Sequence, residues 1–111
     1  MEEKTRVVVY SQEATKDLNN IFVYGTDAFS PFSAETFILE LVTKIDELAT
    51  KYLYHTECRF LPTKSRKYRM MRFFSYQVVY RIAKNRIEVL IIIHSSQSKN
   101  TIRKARSIKI Q

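Results

Sequence analysis

The sequence predicts an α+β domain: an N-terminal strand, an antiparallel helical pair, and then an antiparallel three-stranded meander. The strands form one twisted sheet with the helices on one face. Three observations predict this arrangement. A β-branched run opens the chain, a strong helical periodicity follows, and three apolar or alternating segments come after it. At 111 residues the chain is expected to be a single domain, 1–111, whose last part, 98–111, is a basic C-terminal tail.

The opening of the chain indicates the first strand and the first helix. Residues 6–10 are rich in β-branched side chains, which favours a strand. Ser11 is a favourable N-cap for the helix that follows, and Glu13 places a negative charge in its first turn. Gly25 is the expected C-terminal stop of this helix, because glycine adopts the left-handed conformation common there.

The second helix is predicted to begin at Ser30 and Pro31, since serine caps a helix and proline suits its first position. Its apolar stripe is the clearest periodicity in the sequence. The stripe consists of Phe37, Ile38, Leu41, Val42, Ile45, Leu48, Ala49 and Tyr52. The link over residues 26–30 is short, so the two helices are expected to pack antiparallel.

The second half of the chain is predicted to be mostly strand. Residues 54–66 show no period and are expected to form a connecting loop. Strands are expected over residues 68–74, 76–83 and 87–94. The last is apolar on both faces, as a central strand is. Since the helices cover one face of the sheet, the other is expected to be partly open and basic, and the tail is expected to be either a short helix or extended.

The charge is divided unequally along the chain. Residues 1–57 hold five Lys or Arg and ten Asp or Glu, a net charge of −5. Residues 58–111 hold fourteen Lys or Arg and one Glu, a net charge of +13. This asymmetry makes the second half a candidate for binding a polyanion or an acidic protein.

Several kinds of chemistry are disfavoured by composition. A single cysteine rules out a disulfide framework, and with two histidines at unrelated spacings it predicts no metal site and no cofactor. A single glycine rules out a glycine-rich phosphate loop. No apolar run reaches the length of a membrane span, and the N-terminus does not resemble a signal peptide. We therefore expect a cytoplasmic protein with no membrane partner.

Several segments, taken in order and spacing, resemble the RelE/ParE superfamily of bacterial type II toxins, which includes plasmid stabilisation proteins. They are Tyr10-Ser11, Ala14, Leu18-Asn19-Asn20-Ile21, Ile45-Asp46-Glu47-Leu48, Lys67-Tyr68-Arg69, Arg72-Phe73-Phe74-Ser75-Tyr76, Val79-Tyr80-Arg81-Ile82, Ile87-Glu88-Val89-Leu90 and His94. The resemblance covers about residues 6–97. It implies a growth inhibitor neutralised by a cognate antitoxin, whose acidic amphipathic segment wraps the toxin in a hetero-oligomer.

The resemblance implies two activities on one fold. ParE-like members inhibit DNA gyrase and are not nucleases, whereas RelE-like members cleave mRNA in the ribosomal A site. In the nucleases one Arg follows the Tyr of the central strand and another follows the last strand. The nucleases also have a Tyr or His near the C-terminus. Here Gln77 and Gln97 occupy the two arginine positions, and no Tyr follows Tyr80. We therefore favour the ParE-like activity; the alternatives are a metal-independent mRNA endonuclease and a non-toxic binding module.

Candidate site residues follow from the basic strands. In a nuclease the catalytic residues would be Arg69, Arg72, Arg81 and His94: the arginines would clamp phosphate and the histidine would act as acid or base. The residues predicted to bind nucleic acid or the target are Lys64, Lys67, Arg69, Arg72 and Arg81. The plainer alternatives are outward-facing arginines on an ordinary sheet and a hydrogen-bonded histidine at a strand end.

Overall fold

A computed structural model describes residues 5–97 and 99–111, and it confirms the predicted α+β fold. Residues 1–4 and Ser98, the first residue of the predicted tail, lie outside the described residues. The elements are β1 (Val7–Tyr10), α1 (Gln12–Ala28), α2 (Pro31–Asp46), α3 (Leu48–Lys51), β2 (Tyr68–Phe73), β3 (Tyr76–Ile82), β4 (Arg86–His94), α4 (Lys99–Lys104) and a 3-10 turn (Ala105–Ser107). The strand order is β1-β4-β3-β2.

The meander pairs antiparallel, and β1 adds to it in parallel beside β4. The chain can make this parallel pairing because α1 and α2 carry it over the sheet before the meander begins. β4 is therefore central, as its two apolar faces predict. None of the helices formed by the described residues is long and apolar enough to cross a membrane.

The side chains of Ser11, the N-cap of α1, and of Asp17 within α1 complete the edge of β4 beyond the end of β1. The Oγ of Ser11 accepts the N–H of Ala14 at 2.8 Å, as an N-cap does, and donates to the carbonyl of Leu90 at 2.6 Å. Further along, the carboxylate of Asp17 accepts the N–H of Ile92 at 2.9 Å. Burial raises the pKa of Asp17, while the Ile92 hydrogen bond opposes that shift. These bonds satisfy backbone groups that would otherwise lie unpaired at a strand edge.

Gly25 does not end α1, and that expectation is wrong. The helix continues to Ala28, and its last bond is donated by the N–H of Phe29 to the carbonyl of Gly25 at 2.9 Å. A Cβ built on Gly25 would lie 3.1 Å from the Cβ of Ala34 in α2. Glycine is therefore needed for the close approach of the two helices rather than for a helix stop.

The helices cover one face of the sheet, here called the helix face, and bury the larger core there. Leu41, Ile45 and Leu48 from the predicted apolar stripe are fully buried against Val78 and Tyr80 of β3. The hydroxyl of Tyr80 donates to the carbonyl of Tyr52 at 2.7 Å, so its buried oxygen is satisfied. Burial raises the pKa of Tyr80 above that of an exposed phenol.

The opposite face of the sheet, here called the tail face, was expected to be partly open and basic. Most of it is covered, although Arg72 remains exposed there. Residues of the loop after α3 and of the C-terminal tail pack on it and form a second core. Its fully or nearly fully buried members include Cys58, Leu61, Tyr68, Val79, Leu90, Ile93, Ile102 and Ala105. The described part of the tail docks on the sheet as a short helix, Lys99–Lys104, and a 3-10 turn, and it continues without helix over residues 108–111. Both of the conformations predicted for it therefore occur.

A β-bulge in β4 adjusts which side chains reach each core. Tyr80 pairs with Val89 while the preceding residue, Val79, pairs with Ile91, so Leu90 is the extra residue. Leu90 and Ile91 consequently both join the tail-face core, and Ile92 returns to the helix face. Strict alternation predicts the opposite faces for Ile91 and Ile92, because a one-residue shift exchanges the two faces of a strand.

Candidate functional site

The three predicted arginines do not lie on one face. Arg69 is directly opposite Tyr80, whose side chain belongs to the helix-face core, so Arg69 lies on that face. Arg72 alternates with Met71 and Phe73, which are in the helix-face core, and therefore lies on the tail face. Arg81 follows Tyr80 and lies on the tail face as well. A single surface lined by all three arginines is not present.

Arg69 holds the loop that follows α3. Its Nη1 donates to the carbonyl of His55 at 2.8 Å, and its Nε donates to the carbonyl of Arg66 at 2.8 Å. Arg66 has a positive φ of 54°, which non-glycine residues seldom adopt. The guanidinium of Arg69 therefore has local structural partners on both sides of the loop.

Arg81 is part of an ion-pair cluster with Glu88 and Arg86. Its Nε lies 2.6 Å from Oε1 of Glu88, and Nη2 of Arg86 lies 2.7 Å from Oε2. Glu88 is 5% exposed. Burial disfavours its ionised form, but the hydrogen bonds and charges of Arg81 and Arg86 outweigh burial and hold the pKa of Glu88 below its usual value.

The same cluster anchors the end of the chain. Nη2 of Arg81 donates to the carbonyl of Ile108 at 2.9 Å, and Nη2 of Arg86 donates to the carbonyl of Ile110 at 2.6 Å. Glu88 thus pairs with one arginine across the sheet, Arg81, and with one on its own strand, Arg86. The cluster therefore explains how a basic tail stays on a basic strand pair: one buried carboxylate orients two guanidinium groups, and these bind backbone carbonyls.

Arg72, Lys64 and Lys67 are exposed and lie outside that cluster. Nε of Arg72 makes a long hydrogen bond of 3.3 Å to the carbonyl of Phe74. Nζ of Lys67 lies 5.6 Å from the centre of the Tyr68 ring. Of the predicted binding residues, these three have side chains that a partner can reach, and their role in binding stays a prediction.

His94 lies at the end of β4 on the helix face. Its Nδ1 accepts the N–H of Ser96 at 3.2 Å and lies 2.8 Å from the Ser96 hydroxyl. Its ring packs edge-on against Tyr76 with centroids 5.4 Å apart. Oε1 of Gln97 accepts the His94 N–H at 2.8 Å, so this glutamine closes the turn after β4.

His94 and Arg81 are too far apart to act on one phosphate. Arg81 pairs with Glu88, six residues before His94 along β4, and the two backbone positions are therefore roughly 15–20 Å apart. Their side chains also lie on different faces of the sheet. General acid–base cleavage needs its acid, base and phosphate clamp within hydrogen-bonding reach of one group.

An apolar cleft opens between the α1–α2 connection and the β2–β3 turn, at the end of the sheet where His94 lies. We call it the hairpin cleft. Its volume is about 590 Å³, and it is lined by Ile21, Tyr24, Gly25, Phe29, Ser33, Ala34, Phe37, Ser75, Tyr76 and His94. Around it Tyr24 is 62% exposed, Phe29 76%, and Phe74 70%. So much exposed aromatic surface around a concave apolar site is typical of a protein-binding site.

Phe74 is held in an unfavourable backbone conformation beside this cleft. It occupies the first position of the two-residue turn between β2 and β3 with a φ of 53°, where glycine is preferred. Its ring packs against Phe37 and Phe73, with centroids 5.8 Å and 4.9 Å apart. A bulky side chain kept exposed at a cost in backbone strain indicates a functional role.

The hairpin cleft was not predicted from the sequence. Phe29 and Phe32 flank the short link between the helices, and Phe32 is 79% exposed. Both lie outside the apolar stripe of α2, and Phe74 lies in the turn after β2. Aromatic residues that lie in turns or outside the periodic core positions could have indicated this cleft, because such residues are not needed to form the core.

Other groups able to do chemistry are dispersed or buried. Cys58 is buried, and burial raises the pKa of its thiol, which makes it a poor nucleophile. His55 is half-buried, and burial, with the nearby charge of Lys44, lowers its pKa. Within residues 5–97 and 99–111, no three His, Cys, Asp or Glu side chains are grouped so as to hold a metal ion.

A family model matches most of the sequence. The family described as the ParE toxin of type II toxin–antitoxin system, parDE, matches residues 8–99. This span runs from the second residue of β1 to the start of α4 and includes all of β2, β3 and β4. No curated protein matches the sequence significantly.

Two solved structures share the fold. A chain of the chromosomal ParDE toxin–antitoxin system from Pseudomonas aeruginosa superposes with a TM-score of 0.67 at 15% identity, covering 82% of this chain and 97% of that one. A chain of the toxin–antitoxin complex RelBE2 from Mycobacterium tuberculosis superposes with a TM-score of 0.53 at 17% identity, covering 81% and 98%. At such identities the likeness establishes the fold alone.

Proposed function

The chain belongs to the ParE toxin family of type II toxin–antitoxin systems, and from this membership we propose that it inhibits growth by acting on DNA gyrase without cleaving RNA. A cognate antitoxin neutralises it in this proposal. The similar structures come from a ParDE system and a RelBE2 complex, which supports an antitoxin partner.

The observation that carries the non-nucleolytic part is the dispersal of the candidate catalytic groups. Arg69 holds a loop on the helix face, Arg81 is paired with Glu88 on the tail face, and His94 lies at the far end of β4. Gln97, at a position where a nuclease of this superfamily has arginine, closes a turn instead. The spread of these positions over two faces of the sheet supports an activity that needs no general acid and phosphate clamp on one scissile bond.

The hairpin cleft is the proposed antitoxin site. An amphipathic antitoxin segment would place apolar side chains against Tyr24, Phe29 and Phe37, which line a cavity of about 590 Å³. Folding on binding would bury aromatic surface that is now exposed, which is the main source of affinity for such segments. The net charge of +8 would attract an acidic segment over longer distances.

Expression from a tightly controlled promoter tests the target. Growth arrest with accumulated DNA breaks and intact mRNA supports gyrase inhibition. Arrest accompanied by mRNA cut at codons would show that the chain is a nuclease. Normal growth in the presence of soluble, folded protein would refute the toxin proposal.

The antitoxin site is tested separately with Phe29→Asp. This side chain is 76% exposed, so its replacement leaves both cores intact, while it places a charge in the cleft wall. We expect co-expression of the antitoxin to rescue growth much less well with this variant. The matched control is Leu53→Asp, which alters a side chain 62% exposed that does not line the cleft. Equal rescue of both variants would place the antitoxin elsewhere.

A further inference from the structure

Two aromatic rings on the tail face are each surrounded by three cations. Around Phe60 lie Arg59, Lys99 and Arg103, with the charged groups 5.4, 5.6 and 5.7 Å from the ring centre. Around Tyr68 lie Arg106, Lys67 and Arg81, at 5.5, 5.6 and 5.7 Å. We call these eight residues the ring–cation patch. The cations come from the loop after α3, from β3 and from the C-terminal tail.

The patch has a strong uncompensated positive charge. All its cations except Arg81 are exposed, and no ion pair among the described residues includes any of those five. Glu88 is the only acidic residue after Glu57; it is 5% exposed and occupied by Arg81 and Arg86. The carboxylate of Glu57 accepts the N–H of Thr63 at 3.1 Å. Charges of one sign held together in this way repel one another, and an anionic partner relieves that repulsion.

We propose that the ring–cation patch binds the phosphate backbone of a DNA duplex without reading its sequence. Arginine and lysine side chains that converge from separate segments are the groups that neutralise phosphates, and release of counterions drives such binding. Ring contacts within about 6 Å orient the cations before the partner arrives, which reduces the entropy lost on binding.

The state of the two rings distinguishes a duplex from a single strand. Single-stranded nucleic acids are bound by stacking their bases on exposed aromatic side chains. Tyr68 is 3% exposed and Phe60 is half-buried, and both rings lie beneath charged side chains. The patch therefore presents positive charge to a phosphate backbone but no exposed ring on which a base could stack.

The patch is also unlike a protein-binding surface. Protein interfaces need buried apolar or aromatic anchors surrounded by polar residues. On this chain, exposed aromatic anchors such as Phe29 and Phe74 lie around the hairpin cleft, on the helix face, and the rings of the patch are covered. An acidic peptide bound at the patch would gain only charge interactions of the kind found at the rim of a protein interface. The patch would bind a duplex whatever the cellular target of the toxin.

Fluorescence anisotropy with a labelled duplex of about 20 base pairs, titrated from about 50 to about 200 mM salt, tests the proposal. Five phosphate contacts predict a slope of log K against log salt of about −4.5. The double variant Arg103→Gln/Arg106→Gln should weaken binding on the order of tenfold and reduce the slope by about 2. A second variant, Arg59→Gln/Lys67→Gln, neutralises the loop side of the patch without touching the docked tail and should behave alike.

The control is Lys44→Gln/Lys51→Gln, which removes the same net charge from helices on the other face. Its binding should fall by less than about twofold. Affinity lost equally from the control and from the patch variants would show a general charge effect and overturn the proposal. Tighter binding of a single strand of the same sequence, or full displacement of the duplex by poly-glutamate at equal charge, would also overturn it. Toxicity unaffected by the patch variants would leave the proposed function intact.

Discussion

Replacing Glu88 by Gln tests whether one carboxylate holds the tail face together. Glu88 accepts three hydrogen bonds from two arginines, at 2.6, 2.9 and 2.7 Å. The glutamine variant keeps the shape but leaves two guanidinium groups without a counter-charge. Removing one partner of a fully buried pair costs about 3–5 kcal/mol. Because Arg81 and Arg86 are 15% and 29% exposed, solvent screens part of this, and we expect a loss of about 2–3 kcal/mol.

The pH dependence gives this prediction a sign. The pKa of Glu88 is lowered in the folded protein from an ordinary value of 4.5. Its contribution to stability is therefore fully present above about pH 4.5 and is lost as the pH falls through the folded value. The difference between the wild-type protein and Glu88→Gln should be largest near pH 7 and should shrink in acid.

Urea denaturation, followed by circular dichroism near pH 7 and again in acid, measures both effects. The matched control is Glu47→Gln, a carboxylate 40% exposed that pairs with Lys44 and Lys51 at 3.9 and 3.7 Å. Such surface pairs contribute about 0.5 kcal/mol, so the control should barely change. A Glu88→Gln variant no less stable than Glu47→Gln near pH 7, or a difference that does not shrink in acid, would refute the role assigned to Glu88.

Three further predictions concern single side chains, each measured as a change in the free energy of unfolding in urea. Phe74→Gly should be about 1 kcal/mol more stable than Phe74→Ala, because only glycine relieves the positive φ; equal stabilities would show an unstrained turn. Ser11→Ala should cost about 2 kcal/mol, since it removes a helix cap and a bond to the Leu90 carbonyl; a loss under about 0.5 would contradict this. Tyr80→Phe should cost about 1 kcal/mol, because the buried Tyr80 hydroxyl donates a hydrogen bond of 2.7 Å. Tyr10→Phe should cost nothing, because the buried Tyr10 hydroxyl has no partner among the described residues. A larger loss for Tyr10→Phe than for Tyr80→Phe would refute both expectations.

The fold could be predicted because its signals are local. The cap at Ser11, the apolar stripe of α2 and the alternation of β3 each depend on neighbours a few residues away. The strands ended within one or two residues of the predicted positions. Gly25 was misread because the sequence cannot show that a second helix passes 3.1 Å from its missing Cβ.

The candidate site was less predictable. The arginines of the basic strands were identified from the sequence. The face of the sheet on which each side chain lies, however, follows from the strand register. A one-residue bulge in β4, for example, moves the side chains of part of that strand to the opposite face. The hairpin cleft joins a helix connection to a strand turn some forty residues later in the chain. Phe29 and Phe74 showed their importance only when the structure left them exposed beside one cavity.

The sequence by itself determined the class of fold, the family resemblance and the charge asymmetry, because composition and short-range periodicity encode these properties. Only the tertiary structure decided what covers the second face of the sheet. That outcome depends on Glu88, which must be buried between Arg81 and Arg86 before their guanidinium groups can bind carbonyls more than twenty residues away. The basic tail is thus retained by long-range hydrogen bonds, and its remaining charges are gathered around two rings where a polyanion can reach them.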